Sequence, residues 1–217
     1  MTASADEAAR ILLEVKAAYA YDGVEPFVFT SGRKSPVYVD IRKIISYPRA
    51  RSRLMDMAVE VIDRAAGVES IDAVAGGETA GIPFAAFIAE RMHLPMLYVR
   101  KQPKGFGRNA QIEGEFAEGQ RVVLVEDLAT DGGSKLNFIN ALREAGAQVA
   151  HCFVVFHYGN FPQSTENLKK MGVDLHELAT WNDIIRVAEA DGYFAPKVVE
   201  EVRSFLGDPD GWAAKQG

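Results

Sequence analysis

The chain has 217 residues, of which 48% are hydrophobic and 25% charged, and a formal net charge of −6. That length and composition fit one sizeable globular α/β domain with room for an appended subdomain. The negative balance argues against nonspecific nucleic-acid binding, and no run of about eighteen apolar residues is present to span a bilayer.

The segment Met1 to Glu7 has no basic region ahead of an apolar run, so no signal peptide is expected. Cys152 is the sole cysteine and lies in an apolar run, which predicts a buried small hydrophobe and excludes an internal disulfide. These features predict a cytoplasmic protein. His93, His151, His157 and His176 have no ligand spacing, so no zinc site is expected.

In chain order, Ala5 to Tyr19 reads as an amphipathic helix with Ile11, Leu12, Val15 and Tyr19 on one stripe. Phe27 to Phe29 and Val37 to Ile41 are short β-like runs around the polar loop Thr30 to Pro36, a pattern that predicts a hairpin. Pro48 to Ala66 is a second helix, with Pro48 in the first turn, where a missing N–H is harmless. Ile71 to Ala75 is a short strand that enters the glycine turn Gly76 to Gly81, and Ile82 to Met92 continues as helix. Met96 to Val99 is a strand. From Arg100 to Gly114 the composition changes: Arg100, Lys101, Lys104 and Arg108 precede the first acid, Glu113, and Pro103, Gly105 and Gly107 oppose regular structure. A cationic loop in an acidic chain, directly after a strand, reads as a mobile lid over an anionic group.

The stretch Arg121 to Ser134 organises the rest. Val122 to Val125 is a bare apolar run, too short for a helix and rich in β-branched residues, hence a strand buried on both faces. Glu126 and Asp127 follow at once, then a turn with Gly132 and Gly133, and Ser134 can cap a helix over Leu136 to Ala145. Backbone N–H groups at such a helix start hold phosphate. The adjacent acids suit ribose hydroxyls or a water-bound magnesium ion. No Gly-Lys-Ser/Thr follows the spacing, so the turn is not a P-loop. Beyond it, Val149 to Phe156 is another buried strand, Pro162 to Met171 a helix, Leu175 to Ala179 a strand, and Asn182 to Asp191 and Pro196 to Leu206 helices. The polar tail from Asp208 is expected to fray. Strand–helix alternation from residue 70 to 156 predicts a parallel sheet with helices on both faces and ligands at the strands' carboxyl ends.

The acid pair with its glycine turn resembles the signature of the type I phosphoribosyltransferases, which bind 5-phosphoribosyl 1-diphosphate (PRPP). The resemblance implies one α/β domain over 1–217: a core at about 68–160, a lid at about 100–114, and a hood made of about 20–45 with the C-terminal segment. It implies that Glu126 and Asp127 hold the ribose hydroxyls, and that Leu128, Ala129, Thr130, Asp131, Gly132, Gly133 and Ser134 cradle the 5′-phosphate. Asp131 stands where the family usually has a small neutral or hydroxyl residue, so its carboxylate should point out of the turn. Gly76 and Gly77 fall in the family's diphosphate turn.

Two further stretches resemble the orotate phosphoribosyltransferases within that family. Ser31, Gly32, Ser35, Pro36, Tyr38 and Asp40 match their hood segment, and Arg100, Lys101 and Lys104 match the Arg-Lys-x-x-Lys of their lid. By that resemblance Tyr38 and Val39 flank the orotate ring, with Thr130 nearby. Lys104, Arg100 and Asp127 carry catalysis, and Arg100, Lys101 and Lys104 bind the diphosphate. Magnesium arrives with PRPP and touches waters near Glu126 and Asp127 rather than the protein directly. The implied assembly is a homodimer whose lid reaches the neighbour's site, with neither nucleic acid nor membrane as partner. This chain has Thr30 in place of the family's hood lysine and Phe106 in place of its lid histidine. His157 and Tyr158 stand near where many members place an arginine for the orotate carboxylate. The implied reaction is orotate plus PRPP giving orotidine 5′-monophosphate and diphosphate, a step of pyrimidine biosynthesis. A purine phosphoribosyltransferase would share the core without the Ser-Gly-x-x-Ser-Pro hood. A PRPP-sensing regulator would lack the lid lysines and carry a DNA-binding extension.

Overall fold

The computed structural model describes residues 2–21, 25–29, 32–105, 111–130 and 133–215. The chain opens with α1 (Thr2–Glu14), β1 (Ala18–Ala20), β2 (Phe27–Val28), β3 (Lys34–Ser35) and β4 (Val37–Val39). A 3-10 turn (Ile41–Ser46) leads into α2 (Pro48–Ala66), β5 (Ala73–Gly77), α3 (Gly81–Met92), β6 (Met96–Val99) and β7 (Ile112–Glu113). Then come β8 (Arg121–Ala129), α4 (Gly133–Glu144), β9 (Gln148–His157) and α5 (Gln163–Lys170). The chain ends with β10 (Asp174–Thr180), α6 (Trp181–Ala190), α7 (Pro196–Gly207) and α8 (Pro209–Ala214).

The main sheet has the order β10-β9-β8-β5-β6-β7; every neighbouring pair is parallel except β6 with β7. Strand alternation divides its buried side chains into two sets. Val122, Leu124, Ala73, Ala75 and Cys152 pack with Phe138, Ile139 and Leu142 of α4 and Leu168 beyond it. Val123, Val125, Val74, Phe153 and Val155 pack with residues of α1, α2, α3, α6 and α7. The unbroken apolar run Val122–Val125 is therefore required: both faces of β8 are covered by helices. Pairing of β9 with β10 also brings His151 and His176 together, Nδ1 to Nε2 at 3.1 Å, a neighbourhood their spacing in sequence conceals.

Four expectations are corrected. The N-terminal helix stops at Glu14, because Lys16 adopts φ 54° and the Ala17 N–H reaches back to Leu12 O at 2.8 Å. That is a helix-ending turn built without glycine, and Ala18–Ala20 becomes a strand. The hairpin is β2 with β3, whereas β4 pairs antiparallel with β1. Ser35 re-aims the chain between them: its Oγ accepts from Val37 N–H at 3.1 Å and donates to Val37 O at 2.8 Å, across Pro36. The main sheet extends past residue 160 through β10. Finally, the tail is folded. Asp208 caps α8 by accepting from Gly211 N–H at 2.9 Å, and Trp212 is 2% exposed, donating from Nε1 to Glu201 at 2.6 Å. Asp210 of α8 pairs with Arg33, in the loop between β2 and β3, at 2.9 Å.

Thr180 closes β10 and starts α6 with a capping box. Its backbone N–H donates to Asp183 Oδ2 at 2.8 Å, and its hydroxyl faces Asp183 N–H. Thr180→Ala should lower unfolding free energy by about 1 kcal/mol. A urea midpoint equal to that of the wild type would show the cap to be dispensable.

Candidate functional site

The carboxyl ends of β5, β6 and β8 converge. Strand β8 runs on through Ala129, so Glu126 and Asp127 belong to the strand rather than to the turn after it. Alternation continues along them. Glu126 extends the α4-facing side of Val122 and Leu124, and Asp127 extends the opposite side, that of Val123 and Val125.

Glu126 is 6% exposed, and its Oε1 has no hydrogen-bond partner. Burial is the main force that pushes its pKa from 4.5 up to about 8, with neighbouring Asp127 adding to the rise and Lys135 and Lys101 opposing it. Its Oε1 lies against two glycines: a Cβ on either Gly77 or Gly81 would collide with it. Asp127 is half-buried, and burial raises its pKa as well, opposed first by Lys135 and then by Arg42.

Gly76 and Gly77 lie inside β5, paired with Tyr98 and Val99, and not in the turn that follows. Their smallness serves close packing. A Cβ on Gly76 would stand 2.7 Å from Ile82 Cα, and one on Gly77 2.6 Å from Phe138. The turn proper is Glu78 to Ala80, and Glu78 fastens the lid: its Oε2 accepts from the Lys101 N–H at 2.7 Å.

The lid's two ends form a ribbon. Arg100 N–H donates to Gln111 O at 2.8 Å, Gln111 Nε2 donates to Arg100 O at 2.8 Å, and β7 pairs with β6. The expectation of no regular structure from 100 to 114 is thus corrected at Ile112–Glu113. Arg100 lies 3.4 Å from Glu113, with its Nε buried and unpartnered. Lys101 and Lys104 are exposed. Phe106 lies outside the described residues, as do Asp131 and Gly132 of the second turn.

Of that second turn, Ala129 is buried and Thr130 half-buried, and α4 begins at Gly133, so Ser134 sits within its first turn rather than before it. Leu128 is half-buried, and its carbonyl accepts from Lys135 Nζ at 2.6 Å. In the hood, Tyr38 is 37% exposed and stacks on Phe27 with ring centroids 5.7 Å apart. Val39 is 3% exposed. Neighbouring strand residues face opposite ways, so the Val39 side chain points into the core, and the expectation that the Val39 and Tyr38 side chains share one exposed face is corrected. At the end of β9, His157 Nε2 lies 2.8 Å from Ser164 Oγ, and Tyr158 is buried against Phe29 and Phe161.

Sequence reasoning missed three charged groups here. Lys135 is only 2% exposed, although an exposed helix position would be the ordinary place for a lysine. Glu78 is hidden in a turn read for its glycines, and Arg42 in a stretch read for its β-pattern. No local periodicity marks any of them. Among the described residues, no three His, Cys, Asp or Glu side chains group to hold a metal ion.

A parallel sheet with an acid pair at its central strand's carboxyl end, a helix start after it and a cationic lid beside it defines a phosphoribosyl-transfer class of site. The family model for the phosphoribosyl transferase domain matches residues 44–191, and the chain belongs to that family. It is 56% identical over 204 residues to an orotate phosphoribosyltransferase of Cereibacter sphaeroides, covering 94% of this chain and 88% of that one. It is 52% identical over 216 residues to an orotate phosphoribosyltransferase of Sinorhizobium fredii, covering 100% of this chain and 93% of the relative. The crystal structure of orotate phosphoribosyltransferase from Aeropyrum pernix matches with a TM-score of 0.72 at 35% identity, over 86% of this chain and 99% of that one.

Proposed function

We propose that this chain is an enzyme that transfers the phosphoribosyl group of PRPP to orotate, giving orotidine 5′-monophosphate and diphosphate in pyrimidine biosynthesis. The observation that carries the reading is the seating of Glu126, next to Asp127 in the chain, against Gly77 and Gly81 on either side of the turn whose Glu78 holds the foot of the lid, within a chain similar over nearly its whole length to orotate phosphoribosyltransferases. The reaction needs little covalent help. As the bond from C1 to diphosphate lengthens, positive charge grows on the ribose ring and negative charge on the leaving group. The protein contributes position and a fixed electrostatic field.

In this reading Asp127 and Glu126 hold the ribose hydroxyls and favour the cationic ring. The turn from Ala129 to Ser134, with the start of α4, holds the 5′-phosphate. Arg100 pairs with Glu113 and the Lys101 backbone N–H is held by Glu78; Lys104, exposed further along the lid, is the cation assigned to the departing diphosphate. A closed lid keeps water from the ring carbon. Magnesium, when bound with PRPP, supplies neutralisation of the diphosphate beside Asp127 and Glu126. Tyr38 provides the exposed aromatic face for the base. No described helix is long and apolar enough to cross a membrane; a cytoplasmic location belongs to the same reading. The direct test is loss of orotate absorbance on adding PRPP and magnesium, with adenine, hypoxanthine and uracil as alternative bases. Consumption of a purine with orotate untouched would refute it.

The reading includes a two-fold dimer whose lids cross. Lys104 and Asp127 of one site then come from different chains. Mixing inactive Lys104→Ala with inactive Asp127→Asn should restore activity: about half of randomly reassorted dimers are mixed and each has one intact site, so recovery should approach roughly a quarter of wild type. No recovery after exchange of chains, verified by tagged co-purification, would mean that each lid serves its own chain.

A further inference from the structure

The cations around the acid pair come from two sides. Lys101, at the foot of the lid, acts on Glu126, whereas Arg42 acts on Asp127. Arg42 lies on the 3-10 turn that follows β4, only a few residues beyond Tyr38. The buried residues of that turn, Ile41 and Ile44, pack in the same core as Val125, the face of β8 to which Asp127 belongs. The Arg42 side chain is 67% exposed, and its contact with Asp40 is long, 3.9 Å from Nε to Oδ1. Its guanidinium therefore keeps most of its donors available.

The proposed reaction brings three anionic groups to this site. The turn before α4 suits the 5′-phosphate, and the lid cations suit the diphosphate. The third is the carboxylate of orotate, and it must enter from the hood side with its ring on Tyr38. The family model begins at residue 44, so Tyr38 and Arg42 lie outside the part the whole family shares. A residue that distinguishes one base from another belongs in such a segment. Two other hood cations are already engaged: Arg33 pairs with Asp210 at 2.9 Å and lies over the Phe161 ring at 5.2 Å, and Lys43 donates to Lys16 O at 2.9 Å.

Building on the orotate reading, we infer that Arg42 is the specificity residue that receives the orotate carboxylate, through paired N–H donors of its guanidinium. Planar, forked donors suit a carboxylate on a flat ring, and a lysine at this place could make only point contact. Orotate's carboxylate would compete with Asp127 for the positive charge that Arg42 brings to the empty site.

The test compares two nucleotides that differ only in the carboxylate, the product orotidine 5′-monophosphate and uridine 5′-monophosphate, by calorimetry on wild type, Arg42→Ala, Arg42→Lys and Arg33→Ala. Arg42→Ala should weaken orotidine 5′-monophosphate about ten- to a hundredfold and leave uridine 5′-monophosphate within about threefold, with a matching rise in the orotate KM. Arg42→Lys should recover part of the loss. Equal weakening of both nucleotides would mean a merely structural role and overturn the inference, as would a loss of discrimination confined to Arg33→Ala. Wild-type protein that fails to turn over orotate would instead remove the reading beneath it. Because Arg42 is exposed, thermal melts of its variants should match wild type.

Discussion

Lys104→Ala is expected to lower kcat about 100- to 1,000-fold, the size of effect seen when one preorganised donor to a developing anion is removed. The loss should fall on kcat and kcat/KM alike, with the KM for PRPP changed little. The reason is positional. Arg100 pairs with Glu113 and the Lys101 backbone is held by Glu78 at the lid's foot, whereas Lys104 lies further along the lid with an exposed side chain. It has no reason to contribute much to ground-state binding, and its charge matters most as the diphosphate departs. Steady-state kinetics with wild-type turnover and only a raised PRPP KM would remove Lys104 from the catalytic group.

Glu126→Gln is expected to make the ligand-free protein more stable and the enzyme slower. In the folded chain Glu126 titrates near 8, against 4.5 for the free group, chiefly because burial disfavours its charge. Below pH 4.5 both folded and unfolded chains hold the proton, and the group is neutral to stability. Between 4.5 and 8 the unfolded chain releases the proton while the folded chain keeps it. Wild-type stability therefore falls as pH rises through that window and levels off above it. Glutamine does not titrate, so the variant lacks this slope. Its advantage should grow with pH and reach about 2–3 kcal/mol near neutrality, less than the full linkage of about 1.4 kcal/mol per pH unit because burial is incomplete. Urea unfolding from pH 5 to 8 is the measurement. Parallel curves for the two proteins would mean that Glu126 is ionised in the empty site. A carboxyl that costs stability and is retained fits a group kept for ligand binding, and turnover by Glu126→Gln equal to wild type would contradict that use.

Some elements were readable because their cause is local. The run Val122–Val125 can only be a doubly covered strand, and Glu126 and Asp127 follow it at a carboxyl end whatever the remaining chain does. Pro48 and Gly67 bracket α2 by backbone chemistry alone. The cationic composition of residues 100–114 is local too, and its two ends meet at Arg100 and Gln111. The N-terminal helix was overrun because Lys16 takes a left-handed conformation that sequence rules reserve for glycine. The tail looked polar because its one anchoring side chain, Trp212, is buried by contacts to residues far back in the chain, among them Tyr21.

The chain's own sequence thus determined the strand with its acid pair, the helix that starts beside it and the cationic composition of residues 100–108, since each depends on neighbours within a few residues. Only the tertiary structure decided that β4 pairs with β1, that Val39 turns inward while Tyr38 stays out, and that Gly76 and Gly77 are small to admit Ile82, Phe138 and Glu126. It also decided that Glu126 is buried, which raises its pKa, and that Lys135 and Arg42 are near enough to oppose that rise at the acid pair. Burial and the approach of charges are set by residues that sheet and helix packing bring together from distant parts of the chain, and no spacing along the sequence encodes them.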